Sequence, residues 1–214
     1  MSWTSTQLLD KFLTTTEHDI IPLTAQGVKD GCKVFGAAIL RKSDLSLVQA
    51  STNDEKTSPL LHGEINCIQQ FYAIPAESRP PAKDCIFFST HEPCSLCLSG
   101  ITWAGFDNIH FLFTYEDTRD AFAIPHDIKI LEEVFKVPAT PAASENKQAF
   151  DERPLYNRSN AFWTARSVAD LLEDVEGDEQ RAAYRERVEE IKKRYNSLSE
   201  VYQGGKGGAG IPLA

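Results

Sequence analysis

The apolar positions change period twice along this chain of 214 residues. From Met1 to about Gly31 they follow a helical period, with Leu8, Leu9, Phe12 and Leu13 forming one stripe. Pro22 breaks that segment or starts a turn, and a second helix is expected over Leu23 to Lys29, ended by Gly31. From Lys33 to about Val137 short apolar runs alternate with helical stretches. Val34 to Leu40 reads as a buried strand, and Leu45 to Ala50 as its hairpin partner after the Lys42-Ser43-Asp44 turn. Leu60 to Tyr72, with Leu61, Ile65, Ile68 and Phe71 apolar, reads as a helix. Cys85 to Ser89 and Asn108 to Phe113 read as strands around a helix from Pro93 to Ala104, whose proline sits in the first turn where its missing N–H is harmless. Ile128 to Phe135 reads as helical, with a last short strand near Val134 to Val137. Strands alternating with helices predict an α/β fold with a mixed or largely parallel sheet covered on both faces.

Past Pro138 the composition shifts. Pro138 to Glu145 is rich in Pro, Ala, Thr and Ser and reads as a linker or surface loop. Asn160 to Glu173 reads as a helix, and Asp178 to Tyr202 as a longer one. In the longer helix Tyr184, Val188, Ile191, Tyr195, Leu198 and Tyr202 step by 4, 3, 4, 3, 4, an a/d seam. Such a stripe is expected to pack on the body of its own chain. Gly204 to Gly210 reads as a disordered glycine-rich tail. The expected organisation is a domain over 1–137, a linker and helical extension over 138–203, and a tail over 204–214.

The net charge of −9 disfavours an extended phosphate-binding surface, so nucleic acid is not the expected partner. No apolar run is long enough to span a bilayer, and Met1 to Asp10 is polar, so neither membrane nor secretory targeting is expected. Cys32, Cys67, Cys85, Cys94 and Cys97 are odd in number. A reducing cytoplasmic or nuclear setting fits them, with thiols kept for metal and core.

Two segments carry chemistry: His62-Gly63-Glu64, and Glu92-Pro93-Cys94-Ser95-Leu96-Cys97. His62, Cys94 and Cys97 offer three ligands to a Zn2+ ion. Three protein ligands leave a fourth position for water, the catalytic arrangement, whereas structural zinc takes four. Cys94 and Cys97 lie one helical turn apart at a helix start, where the dipole favours thiolate. His62 also opens a helix. Glu64 is expected to be the catalytic proton shuttle and not a ligand. The pattern H-x-E…P-C-x-x-C is a known zinc deaminase signature.

At these residues, over about Ile20 to Phe135, the chain resembles the cytidine deaminase-like superfamily. The branch concerned holds cytosine deaminases, guanine deaminases and tRNA adenosine deaminases. His62-Gly63-Glu64-Ile65 is similar to the fungal cytosine deaminase version. Glu92-Pro93-Cys94 is more like guanine and tRNA adenosine deaminases. Ile101-Thr102-Trp103-Ala104 and the acidic stretch Glu116 to Asp120 resemble guanine deaminase. The resemblance implies a three-layer α/β/α fold with a five-stranded mixed sheet, here with a C-terminal helical extension, and a homodimer. It also implies a substrate-binding Asn before the His-x-Glu helix, a role that falls on Asn53.

Gly63, Trp103 and Asp120 complete the expected substrate-binding set, with Asp117 and Asp127 as further carboxylates of the same loop. Phe150, Tyr156, Phe162 and Trp163 surround Asn157 to Asn160 as either a lid or an anchor for the tail. The function expected is hydrolytic release of ammonia from a small amino-substituted heterocycle, such as guanine or cytosine. A tRNA-editing enzyme and a non-catalytic zinc-stabilised module are the alternatives.

Overall fold

The computed structural model describes residues 3–137 and 147–211. Helix α1 (Ser5–Thr15) starts at a capping box, in which Thr4 and Gln7 satisfy each other's backbone N–H groups. It buries Leu9, Phe12 and Leu13. A π-helical turn (Thr16–Ile20) leads into α2 (Ile21–Lys29), with Pro22 in its first turn. The hairpin β1 (Gly36–Arg41) and β2 (Leu47–Thr52) follows, then α3 (Gly63–Ala73), β3 (Cys85–His91), α4 (Ser95–Trp103) and β4 (Asn108–Phe113). Two short helices, α5 (Tyr115–Asp120) and α6 (His126–Ile130), run on into a π-helical turn (Leu131–Phe135). The chain ends with α7 (Lys147–Asp151), β5 (Thr164–Ser167), α8 (Val168–Glu173) and α9 (Asp178–Gly205).

The five strands lie in the order β2-β1-β3-β4-β5. β1 is antiparallel to both β2 and β3, while β3, β4 and β5 run parallel. The mixed sheet separates two apolar layers by simple alternation. Phe88, Ala38 and Leu40 face one side with Leu9, Phe12, Leu171 and Tyr195. Phe87, Ala37 and Ile39 face the other with Cys67, Phe71 and Ile101. α3 and α4 therefore cover one face, and α1, α8 and α9 the other, with the Phe12 and Phe88 rings stacked at 4.6 Å. The architecture is the expected three-layer α/β/α.

Three expectations are corrected. The fifth strand is not near Val134 to Val137: Val134, Phe135 and Val137 are exposed, and the backbone at 131–135 closes into the π-helical turn. It is Thr164–Ser167, paired with β4 through Ile109 and Ala165. The stretch from Asn160 to Glu173 is therefore strand first and helix second. Helix α8 starts where Ser167 and Asp170 form a capping box, an S-x-x-D signal at the true boundary. With β5 inside the sheet, the chain beyond 147 completes the fold. The linker expected at Pro138 to Glu145 lies outside the described residues.

Finally, the glycine-rich tail is ordered as far as Ile211. Helix α9 carries its seam to Tyr202, which is buried, and runs on to Gly205 before a 3-10 turn over Lys206–Gly208. Lys56 Nζ then donates to the Ala209 carbonyl at 3.0 Å. The seam packs on the body as expected: Tyr184, Ile191, Tyr195 and Tyr202 are buried in the α1 layer.

Candidate metal centre

Two helix starts converge beside the end of β3. His62 is the N-cap of α3 and Cys94 the N-cap of α4, both with extended backbone. Cys97 lies three residues into α4, so both sulfurs are on one turn. Cys94 Sγ is 3.4 Å and Cys97 Sγ 3.7 Å from His62 Nδ1, and the three donor atoms all lie within 4.8 Å of one another. A tetrahedral zinc with ordinary Zn–N and Zn–S bonds separates such nitrogen and sulfur ligands by about 3.6 Å. The donor set and its spacing thus fit zinc.

Zinc takes a neutral imidazole and thiolates, so its binding displaces the protons that this cluster holds. The Cys94 thiol is held well below the usual thiol range, first by its hydrogen bond with Cys97 and then, against burial, by the His62 imidazole. Burial pushes Cys97 the other way, so Cys94 is the thiolate of the pair. Burial opposes protonation of His62, yet the hydrogen bond and charge of Cys94 outweigh it and raise the imidazole to about 9. Glu64 is buried beside Cys97. Burial raises its carboxyl to about 7, with the Cys94 charge adding and the His62 charge opposing. A carboxyl poised there exchanges protons near neutrality, which is what a general acid–base group needs.

Asn53 is buried, and its Oδ1 accepts the Gly63 N–H at 2.7 Å. Its Nδ2 has no partner among the described residues. Asn53 is thus brought to the His-Gly-Glu turn, ten residues from Gly63. Gly63 has a packing role of its own. A Cβ at this position would meet Gly36 Cα and the Phe35 carbonyl oxygen at 2.8 Å, both backbone atoms. Only glycine lets the start of α3 lie this close to the start of β1.

Trp103 and Asp120 are not at the site. Trp103 closes the far end of α4 and is 91% exposed. The carboxylate of Asp120 is exposed and paired with Arg119 at 2.6 Å. The loop carboxylate that lines the cavity beside the cluster is Asp127, at the start of α6. Burial raises its carboxyl to about 7, and the charge of Cys94 adds to this. A cavity of about 330 Å³ opens beside His62 and Cys94, lined by Phe35, Leu96, Ile124, His126 and Asp127 among others. Burial, then the charge of Lys33, holds His126 below its ordinary value.

Lys33 and Glu55, which also line the cavity, were not legible in the sequence as site residues. They are separated by 22 residues and a hairpin, and no spacing rule links them. Asp127 did leave a signal, as an acid in the first turn of a helix opened by Pro125.

The aromatic stretch after 150 is an anchor at two of its four rings. Trp163 Nε1 donates to Thr102 Oγ1 at 2.8 Å, and the Tyr156 hydroxyl to Glu92 Oε1 at 2.6 Å, while Phe162 is exposed. His91 is buried within hydrogen-bonding distance of Thr90 Oγ1, among Phe35, Phe113, Phe122 and Tyr195. No helix among the described residues is long and apolar enough to cross a membrane.

A model of the cytidine and deoxycytidylate deaminase zinc-binding region matches residues 19–113. The cytosine deaminase of Candida albicans is 31% identical over 85 residues, 36% of this chain and 55% of that protein. The guanine deaminase of Bacillus subtilis is 29% identical over 104 residues, 47% of this chain and 64% of that protein. The chain thus spans little more than half the length of the curated relatives it matches. A solved structure of the Bacillus subtilis guanine deaminase is 26% identical with a TM-score of 0.47, covering 61% of this chain and 78% of that one. The matched span holds β1 to β4 together with His62, Glu64, Cys94 and Cys97, and over this span the chain is similar to the cytidine and deoxycytidylate deaminase zinc-binding region.

Proposed function

We propose that this protein is a hydrolytic zinc deaminase that releases ammonia from a small amino-substituted heterocycle, a free nucleobase such as guanine or cytosine or a related base. The observation that carries the reading is the arrangement at the two helix starts. Three ligand atoms converge within 4.8 Å, and a buried carboxylate that is not one of them, Glu64, sits against Cys97. A site with only a structural task has no use for that carboxylate.

His62, Cys94 and Cys97 hold the zinc. When bound it supplies a Lewis acid that makes water nucleophilic near neutral pH. Glu64 takes one proton from the attacking water and delivers it to the ring nitrogen, then takes the second proton from the hydroxyl added to the ring carbon and delivers it to the leaving amine, so that the C–N bond breaks as the carbonyl forms. Burial keeps Glu64 apart from bulk water, so the proton it carries goes to the substrate. Asn53 is assigned to the substrate through its unpartnered Nδ2, its Oδ1 being fixed by Gly63. Asp127 replaces Asp120 as the carboxylate that meets an N–H of the ring. The Gly63 N–H is already taken by Asn53, so Gly63 serves the site by its lack of a side chain.

The cavity of about 330 Å³ has room for one free base among mostly apolar walls. The reading takes the protein as a cytoplasmic homodimer, and sedimentation of the purified protein tests the dimer. An ammonia-release screen of zinc-loaded protein over free bases, nucleosides, pterins and triazines tests the activity. Release from a free base supports the reading, and no release from any of these compounds overturns it.

A further inference from the structure

The cavity beside His62 and Cys94 contains an ion pair that the proton shuttle does not use. Lys33, between α2 and β1, donates its backbone N–H to Glu55 Oε2 at 2.8 Å and its ammonium to Glu55 Oε1 at 2.7 Å. One carboxylate is therefore caught at both oxygens. The two side chains are only 8% and 1% exposed. An ammonium has three donors, and Glu55 is the one hydrogen-bond acceptor of Lys33 Nζ among the described residues. Both residues line the cavity, along with Asp127.

Stability does not account for this pair. A buried ion pair is often no more stable than an apolar pair of similar volume, and an ammonium with unmet donors is worse placed still. The remaining donors are useful if a ligand's oxygen meets them. The apolar side chains of Phe35, Leu96 and Ile124 suit a ring. A donor and an acceptor on that wall, Lys33 and Asp127, suit a ring edge that carries both an oxygen and an N–H.

We infer that Lys33 is the specificity-determining residue that donates to an exocyclic carbonyl oxygen of the substrate, with Glu55 as the positioning residue that aims it. The substrate class is then an amino-oxo heterocycle, with the leaving amine and a carbonyl oxygen on one ring system. Amino heterocycles without such a carbonyl oxygen are rejected. This rests on the deaminase reading above. A buried ammonium left without its oxygen is what rejects the wrong ring, since a site built to hydrogen-bond one group discriminates strongly against its absence.

The test measures binding, which does not depend on turnover. Zinc-loaded wild type, Lys33→Met, Glu55→Gln and the double variant Lys33→Met/Glu55→Met are titrated by calorimetry with hypoxanthine against purine, and with uracil against pyrimidine. None of these rings can release ammonia. Wild type is expected to bind the oxo member of at least one pair about tenfold or more tighter than its oxygen-free counterpart. Lys33→Met is expected to erase that preference, and Glu55→Gln to reduce it. The double variant replaces the ion pair by apolar side chains and keeps the test available if Lys33→Met does not fold. It too should bind both members of each pair alike. Equal binding by wild type, or a preference that survives in both Lys33 variants while only thermal stability falls, overturns the inference. An oxo preference without ammonia release from any amino-oxo base keeps Lys33 as the oxygen reader and removes the deaminase reading. Ammonia release without the preference does the reverse.

Discussion

The Tyr156 hydroxyl donates to Glu92 Oε1 at 2.6 Å and so joins segments 64 residues apart. Arg158 Nη2 donates to the same oxygen at 2.7 Å, and the Tyr115 N–H donates to Oε2 at 3.1 Å. The Glu92 side chain is 1% exposed and stands two residues before Cys94. Burial raises its carboxyl despite these partners. The chain after 150 thus steadies the turn that presents the two cysteines, while β5, a few residues on, extends the sheet.

Removing one donor from this carboxylate leaves it buried and undersatisfied. Arg158→Met is expected to cost about 1–3 kcal/mol in urea unfolding, at the lower end of buried-pair losses because the guanidinium is partly exposed. Zinc stoichiometry should be retained, since no ligand is touched.

Gly63→Ala tests the close approach of α3 to β1. The added Cβ meets backbone atoms of Phe35 and Gly36 at 2.8–2.9 Å, and neither can rotate away. A loss of about 1–3 kcal/mol follows from overpacking. Zinc affinity should fall with it, because His62 moves with the start of α3. Unchanged unfolding and unchanged zinc affinity would show that the helix start has room.

The two carboxylates of the post-strand loop separate cleanly. Asp127 is buried on the cavity wall and Asp120 is exposed against Arg119. Asp127→Asn is expected to raise KM for the deaminated base about tenfold or more, whereas Asp120→Asn should leave it within about twofold. The reverse order would return the recognition role to Asp120.

Acid should loosen α9 first. Arg187 pairs with Glu17 at 2.6 Å and Lys192 with Asp117 at 2.7 Å, tying α9 to the π-helical turn after α1 and to α5. The Arg187 hydrogen bond holds the Glu17 carboxyl below its ordinary 4.5. Burial pushes Asp117 up, but the Lys192 hydrogen bond and the Thr114 backbone outweigh it, holding the carboxyl below 3.8. A carboxyl lowered in the folded state stabilises fully above its unfolded-state value, and that contribution is lost as pH falls through the folded value. Melting temperature should therefore be flat from pH 7 to about 5 with respect to these pairs and fall below pH 4.5. Arg187→Met should flatten part of that acid slope.

Most local signals carried by one segment were legible, although the capping box at Ser167 was read through as helix. The H-x-E and C-x-x-C spacings name the zinc cluster because each lies within a single helix turn, and the helix period names the α9 seam. The short apolar run from Cys85 to Ser89 names β3 as a strand. Elements that depend on distant partners were not legible. Thr164–Ser167 is four residues long and becomes a strand only because β4 lies beside it. Its sequence neighbour α8 then drew the whole stretch toward a helical reading. Trp103 sits in a motif-like helix, but the far end of that helix faces solvent. The Lys33–Glu55 pair is created by folding alone. In each case the missing information is a contact between segments, which periodicity along one segment does not contain.

The central claim is that Glu64 moves protons while His62, Cys94 and Cys97 alone hold the metal. Zinc content and ammonia release of Glu64→Gln, measured on one preparation against wild type, test it most directly. The account predicts one zinc per chain in both proteins and a loss of ammonia release of about 10²–10⁴-fold in the variant. Retention of most activity, or loss of the zinc, would contradict it.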